Sequence, residues 1–522
     1  MSACIELLDY QVEHLEKLKN TLDINPMAFD MSPMGAGKTY TTMKLFQEGQ
    51  KEGKWKWMVV ICPKNMISKW EDCCEEYDIP LAEIMTYQAL TGQKERTLKH
   101  NLLSRQDTHE EKRLRDGTVQ NHHKISFYPT QDWKNVLRDD GVFVVIDEAH
   151  NAKNNSATNQ AIRALFRPLI NQQNFEPVNN SRIIVISATL FDKEEHSLNF
   201  YKIMRVLTEQ IRTFDMGNGT FVRLGAEQIE RFGRRFDPNI LKIIEKTHGV
   251  PVSLKDEQSR AFHIFQFVMK NHLASLMDYK AGQCECYTHN AYYTVHPEDL
   301  DAVVEAVGDL EQATGYSNGD VNFDGNNQMY TQIGAILSNL EFAKAPLFLR
   351  IVREKLEENP STKIVVGLNF TKTFNYLSEQ LSEFNPLTVN GKTKEAARKC
   401  ALELFQKPSF KHRLLIVNTQ TMCCGVDLDD KYGDFPRFCL LSPSFKSIET
   451  AQFIGRFSRG SYTKSRPCVH IVYGDIAEKF AFREQKILKA LAKKGEVISA
   501  VNQNGTPIEF LSFTEKNDTS TQ

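Results

Sequence analysis

The sequence predicts an α/β protein with two parallel-sheet domains and a mostly helical region between them. Apolar strand-like runs alternate with helical patterns up to residue 207, and the same alternation returns after residue 343. Strands that alternate with helices are typical of βαβ units, which build parallel sheets. We therefore predict domains at 1–207 and 343–500, a linking or accessory region at 208–342, and a C-terminal tail at 501–522.

A glycine-rich loop follows the first strand-like run. It contains Gly35 and Gly37, and then Lys38 and Thr39. Glycines let consecutive backbone N–H groups converge on a phosphate, the lysine reaches the β- and γ-phosphates, and the threonine hydroxyl binds Mg²⁺. The full pattern has a further glycine where this chain has Ser32, so a plain glycine turn before a helix is the alternative. The predicted nucleotide-binding residues of this loop are Met34, Gly35, Ala36, Gly37, Lys38 and Thr39.

A second motif completes the nucleotide site. The apolar run Val142–Ile146 ends in Asp147 and Glu148, which predicts a buried parallel strand with acids at its carboxyl end. Asp147 is predicted to hold Mg²⁺, and Glu148 to orient the attacking water. The alternative is a strand followed by an acidic helix cap. With both motifs on one chain, we predict ATP and Mg²⁺ as cofactors.

The bulk composition limits the class of protein. The net charge is −2, so any nucleic-acid contact must come from a local basic surface. No apolar run approaches the ~18 residues of a membrane span, and the first residues do not form a secretory signal. The odd count of 11 cysteines without framework spacing predicts a reducing, intracellular compartment, which can be the cytoplasm, the nucleus or a virion.

One cysteine-containing stretch leaves two interpretations open. Cys284 and Cys286, with His289 and His296 nearby, are either metal ligands or part of a solvated loop. The C-x-C spacing is not a standard zinc spacing, and no second cysteine pair follows.

Three isolated residues are further candidates in the first domain. Gln11 lies on a helix shortly before the glycine loop; its amide could contact adenine, or it is an exposed glutamine. Lys64 and Thr86 each follow a strand and either bind nucleic-acid phosphates or face solvent. The polar segment 95–140 is predicted to be a flexible excursion.

More motifs follow along the chain. Ser187-Ala188-Thr189 ends another apolar strand. In the second domain, Gly425-Val426-Asp427-Leu428 precedes a segment with Gln452, Arg456 and Arg459. Because the two arginines are three positions apart, they are predicted to share one helix face.

The glycine loop, Asp-Glu-Ala-His and Ser-Ala-Thr, in this order, resemble superfamily-2 helicases and translocases. Pro63-Lys64 followed by Trp70, together with the Gly425 and Gln452 segments, is similar to the Swi/Snf-like branch. The compact size resembles helicases of large DNA viruses. The resemblance implies two RecA-like lobes with ATP hydrolysed in the cleft between them.

The resemblance also implies roles for individual residues. His150, Ser187 and Thr189 would couple the nucleotide state to nucleic-acid contacts. The implied nucleic-acid contacts are Lys64, Thr86, Asn369 and Thr419. Gly425 and Asp427 would contact the cofactor, and the implied catalytic residues are Lys38, Asp147, Glu148, Gln452, Arg456 and Arg459.

The predicted function is a nucleic-acid-stimulated ATPase that acts as a helicase or translocase, with duplex DNA favoured over RNA. Two alternatives remain. One is an ATP-driven clamp or transcript-release factor that acts with RNA polymerase. The other is an ATPase unrelated to nucleic acid.

Overall fold

The structure is a computed structural model that divides into two compact units. The first unit comprises Met1–Pro33, Gly37–Asp278 and Val497–Gly505, and the second comprises Met34–Ala36, Tyr279–Glu496 and Thr506–Gln522. The residues that the structure describes are 5–92, 97–113, 119–207, 213–215, 221–249, 257–278, 286–314, 327–423, 425–458, 463–475, 493–494 and 496–498. Within these ranges, no helix combines the length and the apolar character needed to cross a membrane.

The first unit is built around a six-stranded parallel sheet. Its strands and hairpin strands are β1 (Met27–Asp30), β2 (Trp57–Cys62), β3 (Leu81–Thr86), β4 (Leu103–Arg113), β5 (Val119–Pro129), β6 (Val142–Asp147), β7 (Ile170–Asn171), β8 (Glu176–Pro177), β9 (Arg182–Ile186), β10 (Thr213–Asp215), β11 (Phe221–Arg223) and β12 (Ala274–Ser275). Its helices are α1 (Asp9–Ile24), α2 (Lys38–Lys51), α3 (Ile67–Glu76), α4 (Tyr87–Thr91), α5 (Gln131–Asp139), α6 (Ala157–Phe166), α7 (His196–Ile203), α8 (Leu224–Phe236), α9 (Ile240–His248) and α10 (Glu257–Val268). The sheet order is β12-β1-β9-β6-β2-β3, and every neighbouring pair is parallel.

Alternation of side chains along each strand gives this sheet two buried faces. On β1, Met27 and Phe29 pack into one hydrophobic core, while Ala28 between them packs into the other. All six residues of β6 are buried. A strand covered on both faces reads as a continuous apolar run, which is why the sequence identified β6 correctly.

The polar segment 95–140 is not a loop throughout. The strands β4 and β5 pair along their length as an antiparallel hairpin, and α5 follows. Leu103, Phe127 and Trp133 lie in the core of the first unit, and Thr130 caps α5 by accepting a hydrogen bond from the Trp133 N–H (3.1 Å). The described part of this segment is therefore a hairpin and a helix, and Leu103 and Phe127 anchor the base of the hairpin in the core. Its predicted flexibility stays a prediction.

The second unit also contains a six-stranded parallel sheet. Its strands are β13 (Tyr287–Thr294), β14 (Lys363–Leu368), β15 (Leu387–Val389), β16 (Leu414–Asn418), β17 (Arg437–Leu441) and β18 (Cys468–Asp475). Its helices are α11 (Pro297–Thr314), α12 (Asn327–Ala343), α13 (Ala345–Glu358), α14 (Thr371–Gln380), α15 (Glu395–Gln406), α16 (Thr419–Met422) and α17 (Ser447–Ile454). The order is β13-β18-β17-β14-β16-β15, again parallel at every pair. The predicted fold class, with two parallel-sheet lobes, is confirmed.

The described residues of 208–342 are mostly helical, as predicted, but they also add one strand to each six-stranded sheet. Ala274–Ser275 pairs with β1 at the edge of the first sheet, and Tyr287–Thr294 pairs with β18 at the edge of the second. His289 therefore lies in a strand, so the solvated-loop interpretation is wrong for this residue. The predicted loop at 315–326 and Cys284 lie outside the described residues, and the domain boundaries stay predictions.

Candidate functional site

The glycine-rich loop connects β1 to the start of α2. Gly35 and Gly37 have φ angles of 80° and 91°, which favour glycine. A Cβ on Gly37 would lie 2.2 Å from Nε2 of Gln11. Gly37 is also the N-cap of α2 and makes no side-chain cap hydrogen bond. The first backbone N–H groups of α2 therefore have no side-chain cap and point to this loop, which is the arrangement that binds phosphate.

Gln11 is buried, contrary to the interpretation as an exposed glutamine. Its Oε1 accepts a hydrogen bond from the Leu8 N–H (2.9 Å), and its amide nitrogen lies against Gly37. The side chain thus fixes the approach of α1 to the glycine loop. The prediction that it contacts a nucleotide stays a prediction.

The Lys38 ammonium is held at the loop by backbone carbonyls. Its Nζ donates to the Ser32 oxygen (2.8 Å) and to the Pro33 oxygen (2.9 Å). Thr39, in the first turn of α2, is buried. A charged donor and a hydroxyl at the start of this helix fit the γ-phosphate and Mg²⁺ of a nucleotide.

Asp147 ends β6 and is held by two aromatic side chains. The Trp70 indole Nε1 donates to its Oδ2 (2.9 Å), and the Tyr87 hydroxyl donates to its backbone oxygen (2.6 Å). Burial, together with the charge of neighbouring Glu148, raises the pKa of Asp147 to about 6. A divalent cation would offset both effects, so this pair of acids fits a Mg²⁺ site.

Glu148 adopts a left-handed backbone conformation. Its φ is 54°, which is uncommon for a residue other than glycine. Its Oε2 lies 3.3 Å from Nδ1 of His150. Such strained backbone positions cluster at functional sites.

Strand β9 lies between the strands of the two nucleotide motifs in the sheet order. Just beyond it, the Ser187 N–H donates to the Asp30 backbone oxygen (3.1 Å), and the Ser187 hydroxyl donates to the Thr189 oxygen (3.0 Å). Ser187 is thus hydrogen-bonded to the end of β1, where the glycine loop begins. This placement is compatible with the coupling role predicted for Ser187 and Thr189, which remains untested.

Sequence reasoning missed a buried polar cluster below the glycine loop. His14 on α1 places Nε2 3.2 Å from Oδ2 of Asp30 and Nδ1 2.8 Å from the Ser275 hydroxyl. Oδ1 of Asp30 accepts from the Ser32 N–H (3.0 Å). Burial opposes ionisation, but the contacts with His14, Lys38 and Ser32 hold the pKa of Asp30 below its ordinary value. Only the fold brings Ser275 to this cluster, so the sequence carried no signal for it.

Two candidate nucleic-acid contacts of the first unit differ in their surroundings. Lys64 is exposed in the short 3-10 turn after β2. Thr86 is the N-cap of α4, and its hydroxyl accepts from the Ala89 N–H (3.0 Å). The Thr86 hydroxyl therefore has a structural partner in addition to its predicted role.

The two candidates of the second unit lie at the carboxyl ends of adjacent strands, β14 and β16. The Thr419 hydroxyl donates to the Leu368 oxygen (3.2 Å), and the Asn369 amide donates to the Ser442 oxygen (3.1 Å). The buried carboxylate of Glu341, which the sequence reasoning missed, accepts from the Asn369 N–H (2.8 Å). Glu341 therefore fixes the backbone that carries Asn369.

The predicted arginine helix is shorter than the motif. Helix α17 ends at Ile454, so Arg456 lies beyond it and the shared helix face is wrong. Gly455 follows the helix as its C-cap. The Arg456 guanidinium is buried and donates through Nε to the Cys423 oxygen (2.8 Å). Gln452 is also buried, and Arg459 lies outside the described residues.

The remaining two candidates precede this segment. Gly425 is exposed with a φ of 70°, and Asp427 places Oδ2 3.2 Å from the Lys431 ammonium. Both lie in the second unit with Gln452 and Arg456. Their predicted contact with the cofactor stays a prediction.

A family model and a relative both match this chain over the region that contains the nucleotide motifs. The family model described as the res subunit of type III restriction enzymes matches residues 4–192, a range that contains both the glycine loop and Asp147-Glu148. A relative from Acanthamoeba polyphaga mimivirus, named "Putative ATP-dependent RNA helicase", is 23% identical over 509 residues, which cover 95% of this chain and 84% of the relative. These similarities support an ATP-dependent helicase or translocase, and the predicted resemblance to superfamily 2 is confirmed. The predicted enzyme class is confirmed, and the similarity supports the use of ATP and the binding of nucleic acid.

Two solved structures match most of the chain at low sequence identity. The Sulfolobus solfataricus SWI2/SNF2 ATPase core in complex with dsDNA has 14% sequence identity and a TM-score of 0.30, with 96% of this chain and 97% of that chain covered. The same core domain solved by itself has 15% identity and a TM-score of 0.31, with 96% and 95% covered. At these scores the whole-chain superposition establishes no common fold, and the fold class rests on the strand order within each unit.

Proposed function

We propose that this helicase hydrolyses ATP with Mg²⁺ at the glycine loop and uses the energy to move along duplex DNA. The observation that carries the nucleotide assignment is buried Asp147 at the end of β6, followed by half-buried Glu148, in a sheet whose strand β1 leads into the loop before α2. Ligand sites in open parallel sheets lie at the carboxyl ends of the strands.

This proposal gives a distinct task to each nucleotide-site residue of the first unit. Lys38 neutralises charge on the transferring phosphate, and Thr39 and Asp147 hold Mg²⁺. Bound Mg²⁺ supplies charge that stabilises the phosphate oxygens. Glu148 orients the attacking water, and the hydrogen bond from Trp70 keeps Asp147 in a fixed rotamer.

Residues of the second unit are proposed to complete the same reaction. Arg456 and Arg459 would contact the γ-phosphate oxygens, and Gln452 would orient them or the water. The support is the order of motifs along the chain, which matches the superfamily pattern. In this proposal hydrolysis requires residues of both lobes.

Duplex DNA is proposed as the track because the segments around Lys64, Gly425 and Gln452 resemble the Swi/Snf-like branch. The mimivirus relative is named an RNA helicase, so RNA is the competing substrate. The test compares ATP hydrolysis with duplex DNA, single-stranded DNA, RNA and no nucleic acid. We expect the largest stimulation with duplex DNA, falling steeply with salt because phosphate contacts release counterions. Stimulation by RNA alone would overturn the choice of DNA.

Two variants test the nucleotide site in the same assay. Lys38→Ala should abolish hydrolysis, because no other group replaces its charge at the transferring phosphate. Glu148→Gln should bind ATP and hydrolyse it very slowly. Near-normal turnover in either variant would remove the proposed role. Displacement of a third DNA strand then separates a motor from an ATP-driven clamp, since a clamp hydrolyses ATP without displacing the strand.

A further inference from the structure

Two parallel strands bring three metal-binding side chains to one face of the second sheet. In the pairing of β13 with β18, Tyr287 lies opposite Cys468 and His289 lies opposite His470. Directly opposed residues point to the same side of a sheet, and so do residues two apart on one strand. His289, Cys468 and His470 therefore share a face, although about 180 positions of sequence separate the strands.

The donor atoms of these side chains are close to one another. One nitrogen of each histidine and the Cys468 sulfur all lie within 4.8 Å of one another, and the two imidazole centroids are 4.0 Å apart. With Zn–N near 2.0 Å and Zn–S near 2.3 Å, a tetrahedral site places its donors about 3.5 Å apart. A modest side-chain rotation closes the difference, and β13 is the edge strand of the sheet, where such rotation meets least resistance.

A second observation concerns the hydrogen bonds of the two histidines. Nδ1 of His289 is buried and has no hydrogen-bond partner among the residues that the structure describes. A buried polar atom without a partner is costly, and a metal ion would satisfy it. Nδ1 of His470, in contrast, is hydrogen-bonded to the Tyr293 hydroxyl.

We propose that His289, Cys468 and His470 bind one Zn²⁺. Two imidazoles and one thiolate are a donor set that suits Zn²⁺, and the fourth tetrahedral position is left to water. In the bound state Nδ1–H of His470 donates to Tyr293, which leaves Nε2 as the ligand. Metal-bound histidines characteristically donate their second N–H to such a partner.

Binding has a defined proton balance and a structural consequence. The Cys468 thiol loses its proton to the buffer as the Zn–S bond forms, so affinity falls as pH falls. The ion would tie β13 to β18 by side chains as well as by backbone hydrogen bonds. Since β13 precedes α11 and the rest of the second unit, the site would fasten the first strand of this unit to its sheet.

The test measures metal directly in the full-length chain, with any affinity tag removed. Elemental analysis of protein dialysed against Zn²⁺ should give one zinc per chain. Replacement by Co²⁺ should give an absorption band from thiolate-to-metal charge transfer in the near ultraviolet and d–d bands in the visible that report tetrahedral geometry.

Cys468→Ser should lose the charge-transfer band and lower the Zn²⁺ affinity at least tenfold. His289→Gln should also lower the Zn²⁺ affinity at least tenfold. Cys286→Ser is the matched control, because this half-buried cysteine precedes the same strand and contacts the Thr288 hydroxyl (3.5 Å), which lies on the opposite face of the sheet from His289. It should keep one zinc. Circular dichroism checks that each variant is folded. If Cys468→Ser does not fold, His289→Gln, which lies on the edge strand, carries the test. Parent protein without stoichiometric zinc, or equal affinities in parent and His289→Gln, would overturn the proposal.

Discussion

Replacing His14 by alanine tests the buried cluster that supports the glycine loop. His14 and Asp30 have 1% and 0% of their side-chain surface exposed, and their closest atoms are 3.2 Å apart. Removing one partner of such a pair leaves the other buried, which typically costs ~3–5 kcal/mol of unfolding free energy. Asp30 keeps the hydrogen bond from the Ser32 N–H (3.0 Å), so we expect the lower end, about 3 kcal/mol.

The chain offers a selective probe for this measurement. All four tryptophans lie at positions 55, 57, 70 and 133, within the first unit. Urea unfolding followed by tryptophan fluorescence therefore reports the unit that contains His14. With a urea dependence of about 3 kcal/mol/M, the midpoint should fall by about 1 M.

Lys17→Ala is the matched control on the same helix. The Lys17–Glu13 pair is 57% and 71% exposed, so its loss should leave the urea midpoint nearly unchanged. The double variant, His14→Ala with Asp30→Asn, should lower the unfolding free energy by less than the sum of the two single changes, since it removes the buried charge. If His14→Ala and Lys17→Ala shift the midpoint equally, the reasoning about the buried pair is refuted.

The contribution of the Asp30 carboxylate to folding stability depends on pH with a definite sign. The pKa of Asp30 is held below its ordinary value in the folded chain, so the carboxylate contributes stability at neutral pH that is lost as pH falls through the folded pKa. His14→Ala removes one cause of that depression. The difference in stability between parent and variant should therefore shrink as pH falls below about 4.

Three further predictions concern the nucleotide site. Since the pKa of Asp147 is raised to about 6, protons compete with Mg²⁺, and ATP hydrolysis at low Mg²⁺ should fall as pH drops through this value; a midpoint that does not move lower at tenfold higher Mg²⁺ would contradict the assignment. Gly37→Ala should weaken ATP binding at least tenfold in calorimetry, and adding Gln11→Ala should restore only part, because it removes the 2.2 Å contact but not the strained φ; full recovery would show that the contact alone mattered. Arg459→Lys should bind ATP yet lose most single-turnover hydrolysis at saturating ATP and nucleic acid, since lysine lacks the planar fork; a parent-like rate for Arg459→Ala under these conditions would assign the arginine to binding alone.

The sequence predicted the central strands of both sheets, because a strand buried on both faces needs apolar side chains at nearly every position. The edge strands β12 and β13 were not predicted. The runs at β6, β14 and β16 are apolar at nearly every position, and polar residues mark their ends. The hairpin β4–β5 escaped detection because its mostly polar strands lack that signature. The end of α17 before Arg456 was missed for a related reason, since spacing shows a helix period but not where the helix ends.

The sequence by itself determined the chemistry of the nucleotide motifs. Gly37, Lys38 and the Asp147-Glu148 pair are local patterns, and each is specified by residues a few positions apart. Only the tertiary structure decided which distant groups support them, such as Ser275 against His14, or His289 beside Cys468 and His470. The physical reason is that these groups meet through strand order and register, which depend on the free energy of packing the whole chain rather than on any single segment.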